Sequence, residues 1–235
     1  MTFRPPAIER SRPVARAGSV PRWRSFSDEE GPMGRTVLSM SVSLDGFAAG
    51  PDVTREQPMG RGGERLHEWL FQADGDRAVA ADGVTPVGVD AAQVRERHAT
   101  TGAVVIGKRT FDVGVDLWQD TPFPVPCFVV TRESRDPLRM KSDVFTFVND
   151  GLHSTLRQAR QAAGDRNVMI MGGPTTGRQF VKAGLVDEIH VQLVPVFLGT
   201  GTRLFDHLGA DHIELERTAV IESPHVTHLR FRVPR

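Results

Sequence analysis

The ten residues Val168-Met169-Ile170-Met171-Gly172-Gly173-Pro174-Thr175-Thr176-Gly177 predict a buried strand that turns directly into a helix. The apolar run 168–171 is typical of a strand that is covered on both faces of a sheet. The two glycines allow a close approach to the backbone, and Pro174 suits a first helical turn because it has no N–H to leave unpaired. This strand–turn–helix unit indicates an α/β fold.

Working outward from this unit, apolar runs and helical spacing alternate along the chain. The predicted strands are 37–43, 103–107, 127–130, 144–148 and 188–193, and the predicted helices are 64–71, 90–98, 154–163 and 176–183. We expect Asp90 to be the N-cap of its helix, and Gly164 and Gly184 to end the last two helices. Residues 213–221 and 227–233 predict an antiparallel hairpin, so the mostly parallel sheet gains an antiparallel edge.

Composition limits the classes of partner. The 235 residues carry 29 Lys and Arg and 29 Asp and Glu, so a net charge of zero argues against nucleic acid and anionic membranes as partners. No apolar stretch approaches the roughly 20 residues that span a bilayer. One cysteine, Cys127, excludes an internal disulfide framework and a Cys-rich zinc site, and a cytoplasmic location is the natural expectation. The eight histidines lack H-x-x-x-H spacing, so we expect no metal.

Two segments lack a regular period. Residues 1–34 are rich in Arg and Pro, and we expect a disordered extension before a single domain over 35–235. A basic arm that docks on another surface is the alternative. Residues 73–89 are expected to form a surface loop.

Three predicted strands end in residues that suit a phosphate. Gly107-Lys108-Arg109-Thr110 follows one strand, Thr131-Arg132 follows the next, and Gly172-Gly173 with Thr175 and Thr176 follows a third. Free N–H groups at a helix start attract anions, and ligands of open α/β sheets sit beyond the carboxyl ends of strands. Taken singly, the Gly172-Gly173 stretch is equally consistent with a tight turn that binds no ligand, and the two cations at 108–109 are better explained as solvated charges. Together they predict a crevice for a dinucleotide with an extra phosphate, NADPH.

Polar residues near the first strand and the first helix are the candidates for contact with substrate. Asp45, Glu64 and His67 are the candidate acid–base residues, although a turn and a solvated helix face are the commoner explanations. Ser43, Trp69 and Gln192 are the candidate substrate-binding residues. Cys127 lies inside an apolar strand, where packing is a better explanation than nucleophilic chemistry.

Six short motifs occur in an order that resembles a known family. They are Val-Leu-Ser-Met-Ser-Val-Ser-Leu-Asp-Gly-Phe at 37–47, Val-Ile-Gly-Lys-Arg-Thr-Phe at 105–111, Val-Val-Thr-Arg at 129–132, Met-Gly-Gly-Pro at 171–174, Leu-Val-Asp-Glu-Ile-His at 185–190 and Pro-Val-Phe-Leu-Gly at 195–199. The chain resembles the dihydrofolate-reductase-like family that includes the C-terminal reductase domain of the riboflavin-pathway deaminase–reductase. The resemblance covers about residues 35–235.

The resemblance implies a mixed, mostly parallel sheet of about eight strands flanked by helices, NADPH as hydride donor, and a homodimer. It also implies roles for single residues. Lys108, Arg109 and Thr110, with Gly107 before them, would face the cofactor phosphates, and Thr131 and Arg132 would lie by the adenosine 2′-phosphate. Gly172, Gly173, Thr175 and Thr176 would hold the pyrophosphate, and the stretch from Ser41 to Ala49 would line the nicotinamide and the substrate.

Two departures from the family pattern limit the choice of substrate. Dihydrofolate reductases carry a Trp-x-Leu-Pro segment and then an acidic residue on a helix, and residues 51–68 contain no such segment. Residues 1–34 contain neither His nor Cys, so they hold no zinc motif of a deaminase. We therefore expect a stand-alone NADPH-dependent reductase acting on a C=N, C=O or C=C bond of a small heterocycle or metabolite. The alternatives are a ribosylaminopyrimidine-phosphate reductase of riboflavin biosynthesis and a non-catalytic nucleotide-binding or regulatory protein.

Overall fold

The computed structural model describes residues 34–70, 79–80, 83–84, 88–209 and 212–234. The expected N-terminal extension lies outside the described residues apart from Gly34, and so does most of the expected loop 73–89. Within the described parts, no helix is long and apolar enough to cross a membrane.

Thirteen strands and four α-helices make up the described structure. The strands are β1 (Thr36–Ser43), β2 (Phe47–Ala49), β3 (Val79–Ala80), β4 (Gly83–Val84), β5 (Thr101–Gly107), β6 (Cys127–Val130), β7 (Leu138–Arg139), β8 (Val144–Val148), β9 (Asn167–Gly172), β10 (Glu188–Val194), β11 (Thr202–Arg203), β12 (Glu216–Glu222) and β13 (Thr227–Arg232). The helices are α1 (Gly88–Thr100), α2 (Lys108–Trp118), α3 (Leu152–Ala163) and α4 (Pro174–Lys182), and two short 3₁₀ turns span Gly63–Leu66 and Glu68–Leu70.

Nine of the strands form one sheet, in the order β12-β13-β10-β1-β9-β5-β6-β8-β7. The six strands from β10 to β8 run parallel to one another, whereas β12, β13 and β7 are antiparallel to their neighbours. The predicted fold class is confirmed, including the C-terminal hairpin. The short edge strand β7 brings the sheet to nine strands where about eight were expected.

Two apolar layers cover the sheet. On one face, α3 and α4 pack Leu156 and Phe180 against alternate residues of the central strands such as Leu38 and Ile170. On the other face, α2 packs Phe111 against β5, β6 and β8. Cys127 belongs to this second layer, and burial raises the pKa of its thiol, so its role there is packing.

The structure corrects three local predictions. Helix α2 was not predicted, although Phe111, Val115 and Trp118 have helical spacing and pack into the core. The expected helix 64–71 is two 3₁₀ turns that break at His67, and its last residue lies outside the described part. Asp90 is not an N-cap, because α1 begins at Gly88 and the buried Asp90 carboxylate turns inward from the first turn.

Candidate active site

The three strand ends that the sequence singled out lie at one edge of the sheet. β5 and β6 are parallel and pair Gly107 with Val130, and β5 and β9 are parallel and pair Ile106 with Gly172. Residues that follow these strands therefore share the carboxyl-terminal edge, which is where open α/β sheets bind ligands.

Glycines at this edge make room for two threonine hydroxyls. A Cβ on Gly107 would collide with the Thr176 hydroxyl, and a Cβ on Gly173 would lie 3.0 Å from Thr110 Oγ1. The peptide bond between Gly172 and Gly173 is cis. Gly107, Thr110, Gly172, Gly173 and Thr176 therefore form one compact group, which we call the glycine cradle.

Two helices begin at the cradle, and no side chain caps either of them. Gly107 is the N-cap of α2 and Gly173 is the N-cap of α4, and both caps lack a side-chain hydrogen bond. The first N–H groups of a helix have no intrahelical acceptor, and the helix dipole adds partial positive charge there. Two such helix starts on adjacent strand ends can bind a group with several negative charges.

The cations near the cradle differ in how strongly they are already engaged. Lys108 lies 2.7 Å from Asp112 and 3.6 Å from Glu133, and these carboxylates raise its pKa. Arg109 donates to the Val53 carbonyl at 3.1 Å. Arg132 is exposed and forms no ion pair or hydrogen bond with a described residue, so its guanidinium is free to meet a ligand.

Two hydroxyls at the edge have partners within their own segments. Thr131 Oγ1 accepts the Glu133 N–H at 3.0 Å, which shapes the turn that precedes the acidic residue. Thr175 Oγ1 accepts from Arg178, whose guanidinium also donates to the Arg203 carbonyl. Arg178, which was not among the residues predicted from the sequence, lies one helical turn after Thr175 and adds a cation beside the start of α4.

Hydrogen bonds of the Asp45 carboxylate fix the loop after β1, so this side chain does not project freely at the carboxyl edge of the sheet. Its carboxylate accepts from the Ser43 hydroxyl at 2.5 Å and from the N–H groups of Leu198 and Gly199 at 3.1 and 2.7 Å. The Ser43 hydrogen bond above all, followed by the backbone donors, lowers the pKa of this carboxyl. Asp45 is therefore an ionised anchor between two loops, which is poor chemistry for a proton donor.

The other two candidate acid–base residues, Glu64 and His67, lie on the first 3₁₀ turn and at its end. Glu64 is exposed on the first 3₁₀ turn. Burial lowers the pKa of His67 to about 4, and its buried Nδ1 has no hydrogen-bond partner. His67 is thus neutral near pH 7 and has no proton to spare as an imidazolium.

Two of the candidate substrate residues, Trp69 and Gln192, lie next to Ser41 at buried positions on the sheet. Ser41 on β1 pairs with Gln192 on β10, and the Trp69 indole donates to the Ser41 hydroxyl at 3.2 Å. All three side chains are buried, with Trp69 only 2% exposed. The other two members of the predicted lining, Ser43 and Ala49, lie nearer the carboxyl edge, at the end of β1 and on β2.

A buried acid–base pair that was not predicted from the sequence completes this row. His228 on β13 pairs with Gln192, and its Nε2 lies 2.7 Å from the Asp90 carboxylate on α1. Burial, above all, lowers the pKa of His228, although Asp90 opposes that effect. Its ring also meets the Trp69 ring edge to face, at 5.2 Å between centroids. Asp90, which was expected to be an N-cap, is therefore an acidic residue on a helix, α1, that follows the stretch 51–68.

Two comparisons of the sequence with known proteins give a match. The family model of the RibD C-terminal domain matches residues 36–229. The uncharacterized protein YwjB of Bacillus subtilis is 27% identical over 177 residues, which are 74% of this chain and 84% of YwjB.

Two solved structures share the fold. A protein from Shewanella sp. PV-4, named provisionally for riboflavin biosynthesis, superposes with a TM-score of 0.63 at 20% identity over 86% of this chain and 99% of its own. Enterococcus faecalis dihydrofolate reductase, solved with NADP(H) and a second ligand, superposes with a TM-score of 0.50 at 12% identity over 86% and 98% of the two chains. The sheet order, the motifs along the chain and the match over nearly all of the described residues lead to one conclusion: the chain belongs to the RibD C-terminal domain family.

Proposed function

We propose that this protein is an NADPH-dependent reductase whose cofactor phosphates bind at the glycine cradle. One observation carries the proposal: two uncapped helix starts, those of α2 and α4, converge on adjacent strand ends. A pyrophosphate matches them, because it presents negative charge to both sets of free N–H groups.

The residues at the edge fit the parts of this cofactor. The backbones of Gly172 and Gly173 and the hydroxyls of Thr110 and Thr176 would hold the pyrophosphate. Arg132, exposed beyond β6, would bind the 2′-phosphate through charge-assisted hydrogen bonds. When bound, NADPH supplies a hydride, and the protein's share is orientation and electrostatics. Asp45 contributes by fixing the loop between β1 and β2, along which the nicotinamide and substrate would lie.

The substrate that the family membership favours is a ribosylaminopyrimidine phosphate, reduced at a C=N or C=O bond. The RibD C-terminal domain match and the resemblance to a riboflavin protein support this choice. The broader class, a small heterocycle or metabolite with a C=N, C=O or C=C bond, is the alternative for a stand-alone domain.

Nucleotide binding without turnover is the second candidate function. It is favoured by the state of the three acid–base candidates: Asp45 is ionised and engaged, Glu64 is exposed, and His67 is neutral near pH 7. A protein of this kind would bind NADPH and oxidise none of it.

A two-part measurement separates these possibilities. Titration calorimetry should give one NADPH site per chain, with NADH at least tenfold weaker. Steady loss of reduced-nicotinamide absorbance with 5-amino-6-(5-phosphoribosylamino)uracil would establish the pyrimidine reductase, whereas turnover only with other imines or carbonyls would favour the broader class. Binding without turnover of any of these compounds would support the second candidate, and absence of NADPH binding would overturn the cofactor assignment.

We also propose a cytoplasmic homodimer with a small-molecule substrate. Leu44 is 56% exposed at the rim of a groove that is also lined by Leu193, Pro195, Ser223, Pro224, Val226 and Thr227. The dimer is what the family resemblance implies. Sedimentation equilibrium at micromolar concentration tests the dimer, and a monomer mass throughout would contradict it.

A further inference from the structure

Strand β12 is a free edge of the nine-stranded sheet. It is seven residues long, and among the described residues it pairs only with β13. The strand at the opposite edge, β7, has only two residues. No side chain of β12 is buried. An edge of this length leaves backbone N–H and C=O groups unpaired, and such a row of groups can add a strand from another chain.

An apolar row of the sheet runs out to this edge. Val191 of β10 pairs with Leu229 of β13, and Leu229 pairs with Val220 of β12. The exposed fraction of the side chain is 7% at Val191 and 46% at Val220. Val191 and Leu229 belong to the apolar layer that includes residues of α3 and α4. The row therefore continues the core to the edge, where it ends on a side chain that one further strand can cover.

The backbone of Val220 is directed toward the free edge. Bonded and non-bonded positions alternate along an antiparallel pair of strands. The Ser223 N–H donates to the Val226 carbonyl at 3.0 Å, where the hairpin of β12 and β13 closes. Counting back from Ser223, the next residue bonded to β13 is Ile221. Val220 and Glu222 therefore direct their N–H and C=O groups away from β13.

Two exposed charges of opposite sign lie on either side of Val220. Neither the Arg217 nor the Glu222 side chain forms an ion pair or a hydrogen bond with a described residue. The register shifts at a bulge between Arg217 and Ala219, so Arg217 lies two pairing positions before Val220, and Glu222 lies two positions after it. The edge is therefore self-complementary. An antiparallel second copy that is centred on Val220 places each Arg217 opposite a Glu222.

We propose that this edge binds a second copy of the same chain, with the two β12 strands antiparallel about a two-fold axis at Val220. The two sheets then become continuous, the two apolar rows meet, and an ion pair of Arg217 with Glu222 forms at each end. Bulges and charges on an edge strand oppose indiscriminate pairing. Here they select one register, because an axis at Ala219 would place Arg217 opposite Val220. The inference rests on the homodimer proposed above, whose surface it names, and is independent of the reductase activity.

A cysteine at the axis tests the pairing on the whole chain. Val220→Cys should form a covalent dimer under mild oxidation, because directly opposite bonded residues have Cα atoms about 5.5 Å apart, and a disulfide spans about 4.4–6.8 Å. The native Cys127 is fully buried and does not compete. Leu117→Cys is the control, since Leu117 lies on α2 and is 63% exposed, and it should give no covalent dimer on a non-reducing gel.

Charge reversal tests the register. Arg217→Glu should weaken the dimer at least tenfold in sedimentation equilibrium, because two carboxylates then face each other at each end. Glu222→Arg should have the same effect, and the double variant should restore the wild-type affinity. Both side chains are exposed, so these changes leave the fold intact. Arg95→Glu, at an exposed position on α1, is the matched control and should not change the affinity.

The outcomes separate this surface from the homodimer itself. A monomer at all concentrations would overturn both. A dimer that forms no Val220→Cys disulfide and is insensitive to charge reversal would leave the homodimer in place and overturn β12 as its surface. A Val220→Cys disulfide with unchanged affinity in Arg217→Glu would overturn the two-fold register. Equal cross-linking of Leu117→Cys would overturn the inference as well, because random collisions would then account for the disulfide.

Discussion

Two regions of one sheet are built by opposite means. One is the carboxyl edge of β5, β6 and β9, and the other is the sheet face that lies under α1. The edge uses glycines, threonine hydroxyls and the free N–H groups of two helix starts. The face uses charged side chains that pair across the fold, such as Asp90 with His228 and Glu96 with Arg230. A site made of backbone tolerates an incoming anion without moving buried charge, whereas a site made of buried charges fixes the structure around it.

This difference assigns separate properties to the two regions. Burial lowers the pKa of His67, His190 and His228, all of which lie at or beside the face under α1. The cradle instead offers main-chain groups that do not titrate. We therefore expect the face to set how stability depends on pH, and the edge to set how tightly a nucleotide binds.

Removing the titration of His67 should have the largest effect. In the folded protein His67 has a pKa of about 4, and unfolding returns it to about 6.5, so the unfolded state binds more protons between these values. Wild-type stability should therefore fall as pH drops from 6.5 to 4, with about 3 kcal/mol of that loss due to His67. Urea unfolding at half-unit pH steps, with wild type and His67→Gln, measures this share.

The control for that series is His153→Gln, on the exposed surface of α3. Its stability should follow the wild-type curve over the whole pH range. If His67→Gln also follows the wild-type curve, then the buried imidazole is not responsible for acid sensitivity, and the face under α1 is more hydrated than its geometry indicates.

Placing a methyl group in the cradle should have the next largest effect. Gly173 has φ −83°, so alanine fits its backbone, and the new Cβ would lie 3.0 Å from Thr110 Oγ1, which needs only a small movement of that side chain. The same Cβ would stand between backbone and pyrophosphate. Gly173→Ala should weaken NADPH binding about a hundredfold, or about 2.7 kcal/mol, and leave the ligand-free Tm within a few degrees.

Calorimetry for affinity and scanning calorimetry for Tm measure the two effects separately. If folded Gly173→Ala binds NADPH with unchanged affinity, then the pyrophosphate does not bind at the cradle. The family assignment would not be affected. A large loss of Tm without NADPH would instead show that the cradle is a packing site.

The sequence predicted the carboxyl edge better than it predicted the face under α1. The strand–turn–helix stretch 168–177 and the motif 105–111 are local, and backbone sites are made from consecutive residues, so the edge could be read directly. Helix α2 was missed because Gly107-Lys108-Arg109 looks like a loop, even though Phe111 and Val115 carry the helical spacing. Helix α2 supports the proposed phosphate site at the edge, since it supplies the second uncapped helix start.

The face under α1 could not be read in this way. Asp90 and His228 are 138 residues apart, and Glu96 and Arg230 are 134 apart, so no local pattern joins them. In the sequence Asp90 cannot be distinguished from an N-cap, because acidic residues are favoured both at the N-cap position and in the first turn of a helix. Only strand register brings Ser41, Gln192 and His228 into one row.

Removing the free cation of the edge should have a smaller effect than the glycine change, and a selective one. If Arg132 binds the 2′-phosphate, Arg132→Ala should weaken NADPH by about 2 kcal/mol, roughly thirtyfold, and leave NADH nearly unchanged. Arg139→Ala, an exposed arginine on β7, is the matched control and should affect neither nucleotide. Equal losses for NADPH and NADH in Arg132→Ala would assign Arg132 to general attraction and leave the 2′-phosphate without a ligand.

The smallest effect is expected at Lys108, and it tests whether a paired cation can serve the edge. The Lys108 ammonium lies 2.7 Å from Asp112 and 3.6 Å from Glu133, so its charge is largely compensated before a nucleotide arrives. Partly exposed pairs of this kind contribute about 0–1 kcal/mol, and breaking one to reach a phosphate gains little. Lys108→Gln should therefore change NADPH affinity less than about threefold. A tenfold loss in the same titration would mean that Lys108 leaves Asp112 when the nucleotide binds, and that the edge relies on charged side chains more than its backbone geometry indicates.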